Sequence, residues 1–162
     1  MGVFVGIDVS LESSAVCAVD EHGKLLRETK VASDPGALNA CIRSMPGVVE
    51  AIGIEAGPLS QWLHKSLTDL GLPVVLMETR QVKAALKAAP VKTDRRDAAG
   101  LARLLQMGWF RPVHCKSLSA QELRVLLGAR RSVQDAAINI EMSIRGMLRN
   151  FGLRLGRIGK VS

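Results

Sequence analysis

Three short strand-like runs precede the first helix-like segment of this 162-residue chain, and that order limits the possible folds more than any other feature. The runs cover residues 3–8, 14–19 and 24–31, and a turn containing Gly23 joins the last two. Strand-like runs joined by a short glycine-containing turn are typical of a β-hairpin. The chain is therefore predicted to begin with a meander of three antiparallel strands.

Helix-like and strand-like segments alternate after this meander. Two more strands are predicted over residues 48–54 and 73–77, and four helices are predicted over residues 37–44, 59–70, 79–88 and 95–107. Thr93 and Asp94 would cap the last of these helices. A meander followed by helix-separated strands indicates an α/β fold with a mixed five-stranded sheet flanked by helices. This is the layout of a ribonuclease-H-like fold.

A long basic helical pattern occupies the last part of the chain. It begins near a capping box at Ser119 and Glu122 and continues to about residue 151. Eight of its nine heptad a and d positions are apolar or alanine, and Arg130 is the exception, so we predict a coiled coil within or between chains. An amphipathic helix packed on the domain's own core is the alternative. The predicted domains are residues 1–110, a helical dimerisation segment at 117–152 and a basic tail at 153–162.

The charge is distributed unevenly along the chain. The net charge is +7, but residues 1–80 carry −4 and residues 81–162 carry +11. A basic second half favours a polyanion-binding surface, although a well-solvated helical surface has the same composition. Aromatic residues make up 3% of the chain, which argues against a base-stacking platform. The candidate phosphate-binding residues are Lys92, Arg95, Arg96, Arg130, Arg131, Arg145 and Arg149.

Four carboxylates stand out by their positions. Asp8 and Glu55 end the first and fourth predicted strands, and Asp94 and Asp97 lie three apart at a helix start. Each alone has an ordinary explanation as a turn residue or a helix cap. Together they can line a cavity of oxygen ligands that suits Mg²⁺ or Mn²⁺, and such ions promote phosphodiester displacement.

Several classes of protein are excluded by missing patterns. The chain has no P-loop and no dinucleotide-binding glycine motif. Cys17, Cys41 and Cys115 lack the spacing of a zinc ribbon or a disulfide framework. We find neither a membrane-spanning apolar run nor a signal peptide, so the expected compartment is the cytoplasm.

Four short motifs are similar to those of a known family. They are Gly-Ile-Asp-Val-Ser at 6–10, Ile-Glu-Ala-Gly at 54–57, Lys-Thr-Asp-Arg-Arg-Asp-Ala at 92–98 and Gly-Trp-Phe-Arg-Pro-Val at 108–113. The chain resembles the N-terminal DEDD domain of the IS110-type, Piv-like insertion-sequence transposases, which are bridge-RNA-guided recombinases. The resemblance extends over nearly the whole chain.

This resemblance implies a RuvC-like domain that cleaves or transfers DNA strands with Mg²⁺ or Mn²⁺. It implies that Asp8, Glu55, Asp94 and Asp97 are the catalytic metal ligands and that the basic helices form the family's coiled coil. The implied partners are DNA, a structured guide RNA and further copies of the chain in a homodimer or larger oligomer, and the implied location is the bacterial nucleoid. Family members are about twice as long and carry a serine nucleophile in a C-terminal domain. We therefore expect this chain to be truncated.

Three other functions stay open on the sequence alone. A stand-alone RuvC-type junction endonuclease would share the fold and the acids. A phosphotransferase of the actin and sugar-kinase class begins similarly but needs glycine-rich nucleotide loops and greater length. A non-catalytic module for nucleic-acid binding and dimerisation would need only the basic second half.

Overall fold

The sheet has five strands in the order β3-β2-β1-β4-β5. The computed structural model describes residues 1–87 and 94–156, with the backbone alone at residues 94 and 95. Pairing is antiparallel between β1 and β2 and between β2 and β3, and it is parallel between β1 and β4 and between β4 and β5. The predicted ribonuclease-H-like sheet is confirmed. The strands are β1 (Gly2–Asp8), β2 (Ser13–Asp20), β3 (Leu25–Ala32), β4 (Val48–Glu55) and β5 (Val74–Met77).

Helices connect and flank these strands as predicted, with small shifts at their ends. Asp34 caps the first helix through its carboxylate, which accepts a hydrogen bond from the Ala37 amide at 2.9 Å. Thr93, the predicted cap of the fourth helix, lies outside the described residues. The helices are α1 (Pro35–Arg43), α2 (Ser60–Asp69), α3 (Thr79–Leu86), α4 (Asp94–Gln106) and α5 (Leu118–Arg149).

The β2–β3 hairpin is closed by the side chain of Asp20. Its Oδ1 accepts hydrogen bonds from the amides of His22 and Lys24, each at 2.9 Å. The bond from Lys24 contributes most to holding the pKa of this carboxyl below its ordinary value. Gly23 has a φ of +76°, a conformation that costs glycine little. The turn predicted from the sequence is thus stabilised by one carboxylate and one glycine.

Alternating residues of the strands form a core on each face of the sheet. Val3, Val5 and Ile7 of β1 pack in the larger cluster, which also contains residues of α1 and α2. Phe4 packs on the opposite face with Cys17 of β2 and with residues of α4. Burial raises the pKa of the Cys17 thiol to about 11, so this cysteine behaves as a small apolar side chain.

Two glycines let α4 approach the sheet closely. A Cβ atom at Gly6 would overlap the Ala98 carbonyl oxygen and lie 2.5 Å from the Ala102 amide nitrogen. A Cβ atom at Gly53 would lie 2.7 Å from a methyl carbon of Leu105. At Gly6 the obstructing atoms are backbone, so the position admits glycine only, whereas at Gly53 the side chains of Leu105 and Met77 would have to shift to admit a Cβ. The small residues determine how near α4 comes to β1 and β4.

The segment after α4 contacts the sheet edge, although no strand or helix is predicted there from the sequence. Pro112 forms an antiparallel bridge with Met77 of β5. The Glu78 amide donates to the Arg111 carbonyl at 3.0 Å, and the Val113 amide donates to the Leu76 carbonyl at 2.8 Å. Pairing of this kind covers part of an edge strand that would otherwise expose its backbone groups.

The chain divides into two compact units, residues 1–115 and 116–162. The second contains α5, which has no buried residue. Its N-cap is Ser117, whose hydroxyl accepts from the Ala120 amide at 3.3 Å, so the cap lies two residues before the predicted one. Whether α5 forms a coiled coil stays a prediction. Within the described residues, no helix is long and apolar enough to cross a membrane.

Candidate functional site

The ends of two parallel strands place Asp8 and Glu55 side by side. Ile7 of β1 pairs with Ile54 of β4, so the residues that follow them, Asp8 and Glu55, are next in the same register. Side chains alternate along a strand, and Asp8 therefore shares a face with Phe4 and Gly6, the face that packs against α4. The hydrophobic alternation thus directs both carboxylates to the α4 side of the sheet.

The third carboxylate comes from the first turns of α4. Asp97 precedes Ala98, whose carbonyl lies against Gly6 of β1. The close contact at Gly6 therefore determines how far Asp97 lies from the sheet. Asp8, Glu55 and Asp97 are each partly buried. They line one cleft of about 470 Å³. The rest of the described lining is Val9, Lys83, Ser60 at the start of α2 and the loop residues Ala56, Gly57, Pro58 and Leu59.

The loop that follows Glu55 is held by two hydroxyl groups. Ser60 is buried, and its Oγ donates to the Gly57 carbonyl and accepts from the Gly57 amide, both at 2.7 Å. Thr79, the first residue of α3, donates its hydroxyl to the Ala56 carbonyl at 2.7 Å. These hydrogen bonds satisfy backbone groups of the loop that would otherwise have to bond to water. They give the cleft a fixed wall beside Glu55.

The side chains of this cleft have the right chemistry for a hard divalent cation, but they do not form a complete cage. Carboxylate oxygens are the ligands that Mg²⁺ and Mn²⁺ prefer. Among the described residues, however, no three His, Cys, Asp or Glu side chains lie close enough to hold one ion. Asp94 begins α4, and its side chain lies outside the described part. The four predicted ligands therefore stay a prediction, with three of them in one cleft.

The predicted phosphate-binding residues are distributed over both units. Arg96 of α4 and Arg130, Arg131 and Arg149 of α5 are exposed. The Arg131 guanidinium lies 3.9 Å from the Asp135 carboxylate, and an exposed pair at that distance contributes little. Lys92 lies outside the described residues, and so does the side chain of Arg95.

The guanidinium group of Arg145 is engaged in hydrogen bonds within the second unit. Its Nε donates to Glu141 at 2.7 Å, and its terminal nitrogens donate to the Leu155 and Gly156 carbonyls at 3.0 and 3.2 Å. The chain reverses just before, where Gly152 has a φ of +73° and the Leu153 amide donates to the Leu148 carbonyl. Arg145 thus stabilises the turn after α5.

Two features of the site were not predicted from the sequence. Lys83 lines the cleft, but its position in α3 gives no indication of this, since one exposed lysine on a helix resembles another. The close approach of α4 did leave a signal. A glycine stands two residues before the terminal acid in both strands, at Gly6 before Asp8 and at Gly53 before Glu55.

The family model for IS110-type DEDD transposases matches residues 5–152. This chain belongs to that transposase family. The match includes Asp8, Glu55, Asp94 and Asp97 and extends through α5, so both units described above belong to the family's sequence pattern.

Curated relatives and solved structures are similar to the chain at lower identity. The transposase for insertion sequence element IS1111A of Coxiella burnetii is 27% identical over 158 residues, which are 96% of this chain and 41% of that protein. The putative transposase y4qE of Sinorhizobium fredii is 28% identical over 96% of this chain and 40% of its own length. The chain therefore spans about two fifths of the length of these relatives.

Among solved structures, RuvC of Thermus thermophilus aligns with 68% of this chain and 99% of its own length, at 21% identity and a TM-score of 0.48.

Proposed function

We propose that this chain supplies the divalent-metal nuclease centre that cleaves or transfers DNA strands during insertion-sequence transposition. The observation that carries the proposal is the shared cleft of Asp8, Glu55 and Asp97 in a member of a transposase family. The reaction class is phosphodiester displacement, in which an incoming oxygen forms a new bond to phosphorus and a sugar oxygen leaves. The carboxylates have the chemistry to concentrate cations where this anionic substrate must enter.

In this proposal, the four acids of the family pattern hold Mg²⁺ or Mn²⁺. Asp8 and Glu55 provide oxygens from the rigid strand ends, and Asp97 and Asp94 provide them from the start of α4. A bound ion would neutralise phosphate charge and lower the pKa of coordinated water. Because the described carboxylates do not converge fully, a small movement of the α4 side chains would have to complete the coordination.

Isothermal titration with Mn²⁺ tests the metal site directly. We expect the paired substitution Asp8→Asn and Glu55→Gln to weaken Mn²⁺ binding at least about 10-fold, since each replaces the charged oxygen of a proposed ligand by a neutral amide. The matched control is Glu50→Gln, because Glu50 is an exposed acid of the same strand as Glu55 but at its other end. Equal Mn²⁺ affinity in the wild type and the paired variant would refute the site.

A second proposal concerns the second unit, which we infer binds nucleic acid and a second copy of the chain. Its support is the surface of α5, where Arg130, Arg131 and Arg149 are exposed beside unburied apolar residues. Structured guide RNA and DNA are the polyanions that the family resemblance implies for such a surface. Recognition would use backbone shape and phosphate charge, since the chain has few aromatic residues for stacking.

The activity of a whole transposase is itself a proposal for this chain, because the chain spans about two fifths of its curated relatives. We infer that strand transfer also needs the serine-bearing domain that the family resemblance implies. A cleavage assay with Mg²⁺ on a plasmid and on a branched DNA junction separates the alternatives. Junction cleavage by this chain alone would favour a stand-alone RuvC-type endonuclease.

A further inference from the structure

One cation stands among the acids of the cleft. Within the described lining, Lys83 carries the single positive charge opposite the carboxylates of Asp8, Glu55 and Asp97. A positive charge in a cleft attracts an approaching phosphodiester and can donate a charge-assisted hydrogen bond to its oxygens. The proposed function assigns no role to this lysine.

The position of Lys83 is fixed on both sides by contacts of its own helix. Thr79 ties the start of α3 to the Ala56 carbonyl in the loop after Glu55. Val82, the residue before Lys83, is 1% exposed and packs with Leu101, Leu104 and Leu105 of α4. The backbone that carries Lys83 is thus connected to the two elements that carry Glu55 and Asp97. A lysine held in this way reaches the cleft without depending on a mobile loop.

We propose that Lys83 is a substrate-binding residue whose ammonium group holds a non-bridging oxygen of the DNA phosphodiester in the cleft. The inference rests on the proposed function of the cleft as a metal-dependent nuclease centre. Lysine suits the task because it presents a compact charge with three donors on a flexible stem. The same charge opposes any cation held by the carboxylates, since like charges repel across the cleft.

These two effects have opposite signs, and this gives a distinctive test. Replacing Lys83 by glutamine removes a charge that attracts phosphate and repels metal. We expect Lys83→Gln to tighten Mn²⁺ binding about 3- to 10-fold and to weaken binding of a short oligothymidylate by a similar factor. Lys83→Arg, which keeps the charge, should restore both affinities in large part. A purely structural lysine would move the two affinities in the same direction or leave them unchanged.

The experiment uses the full chain and calorimetric titration with Mn²⁺ alone, followed by oligothymidylate binding in Ca²⁺ by fluorescence anisotropy. Lys87→Gln is the matched control because Lys87 is exposed at the end of the same helix and does not line the cleft. Equal losses of oligothymidylate affinity in Lys83→Gln and Lys87→Gln would overturn the proposal, because they would reflect net charge only. Unchanged or weaker Mn²⁺ binding in Lys83→Gln would overturn it as well.

Failure of the lysine role can be told apart from failure of the metal site. If Asp8→Asn with Glu55→Gln leaves Mn²⁺ binding intact, the cleft is not the metal site. The proposed nuclease centre and the proposed role of Lys83 are then both refuted. If that pair abolishes Mn²⁺ binding while Lys83→Gln changes neither affinity, the metal site stands and only the role of Lys83 falls.

Discussion

At the scale of single residues, Gly6 connects the sheet to the site. It is the point where β1 and α4 touch, one residue from Ile7 and two from Asp8. A side chain there would push α4 outward, because the obstructing atoms are the backbone of Ala98 and Ala102. Any displacement would also move Asp97 away from the strand-end carboxylates. The packing of α4 on β1 and the position of Asp97 therefore both depend on the absence of a side chain at Gly6.

We predict that Gly6→Ala lowers the free energy of unfolding by about 1–3 kcal/mol, the usual range for forcing an extra carbon atom into a filled core. Urea denaturation followed by circular dichroism measures the effect. Gly57→Ala is the control, since a Cβ atom there would be no closer than 3.9 Å to the Glu55 carbonyl oxygen. A Gly6→Ala protein as stable as Gly57→Ala would show that α4 does not pack as described.

At the scale of elements, the strands were predicted from the sequence more accurately than the segments and helix caps between them. The order of strand-like and helix-like segments was enough to predict a mixed five-stranded sheet with Asp8 and Glu55 at the ends of β1 and β4. The segment around Pro112 was missed because its pairing with Met77 depends on an edge strand distant in sequence. The α5 cap was placed at Ser119 although Ser117 fills it, since either serine satisfies the local rule.

The part of the site that is clearest from the sequence is the pair of acids, Asp8 and Glu55, that end two predicted strands. Neighbouring parallel strands bring Asp8 and Glu55 together by register alone. The distance from these acids to α4 depends on side-chain volumes at Gly6 and Gly53, and the orientation of Lys83 depends on how Val82 packs. The two glycines leave a sign of the first effect in the sequence, whereas the packing of Val82 is a tertiary effect that no local pattern encodes.

The helix α5 is the element whose sequence pattern most needs a partner. It is 32 residues long, about 48 Å, and Ile140 and Met147 at two d positions are 61% and 58% exposed. An apolar stripe of this length seldom stays open to water. We expect the chain to self-associate through it, with the exposed arginine at 130 weakening or aligning the seam.

Sedimentation equilibrium tests this expectation. Ile140→Asp should raise the dimer dissociation constant at least about 10-fold, because it places a charge in the seam. Asn139→Asp is the matched control, since it adds the same charge at the adjacent exposed position off the seam. A chain that is monomeric at all concentrations, or a dimer equally affected by both substitutions, would contradict pairing through the a and d positions.

At the scale of the whole molecule, the strand-end acids and the arginines of α5 lie in halves of the chain with opposite net charge. The first 80 residues, with a net charge of −4, contain Asp8 and Glu55, and residues 81–162, with +11, contain the exposed arginines of α5. Binding that neutralises phosphates releases counterions, so the affinity falls linearly with salt on logarithmic axes. The slope of this line is proportional to the number of phosphate contacts. It therefore distinguishes arginines that bind nucleic acid from arginines that only keep a long helix hydrated.

We predict that replacing Arg130, Arg131 and Arg149 with glutamine reduces the magnitude of this slope on duplex DNA by about 2–3, close to 0.9 for each lost contact. Arg145 is left in place because its guanidinium already bonds Glu141 and the carbonyls of the following turn. The control replaces Lys24, Arg27 and Lys30, three exposed bases of the acidic half, and gives the same net charge. Anisotropy titrations over a range of salt concentrations measure both slopes. If the two triple variants lose the same slope, or if the α5 variant keeps the wild-type slope, the arginines of α5 do not contact phosphates.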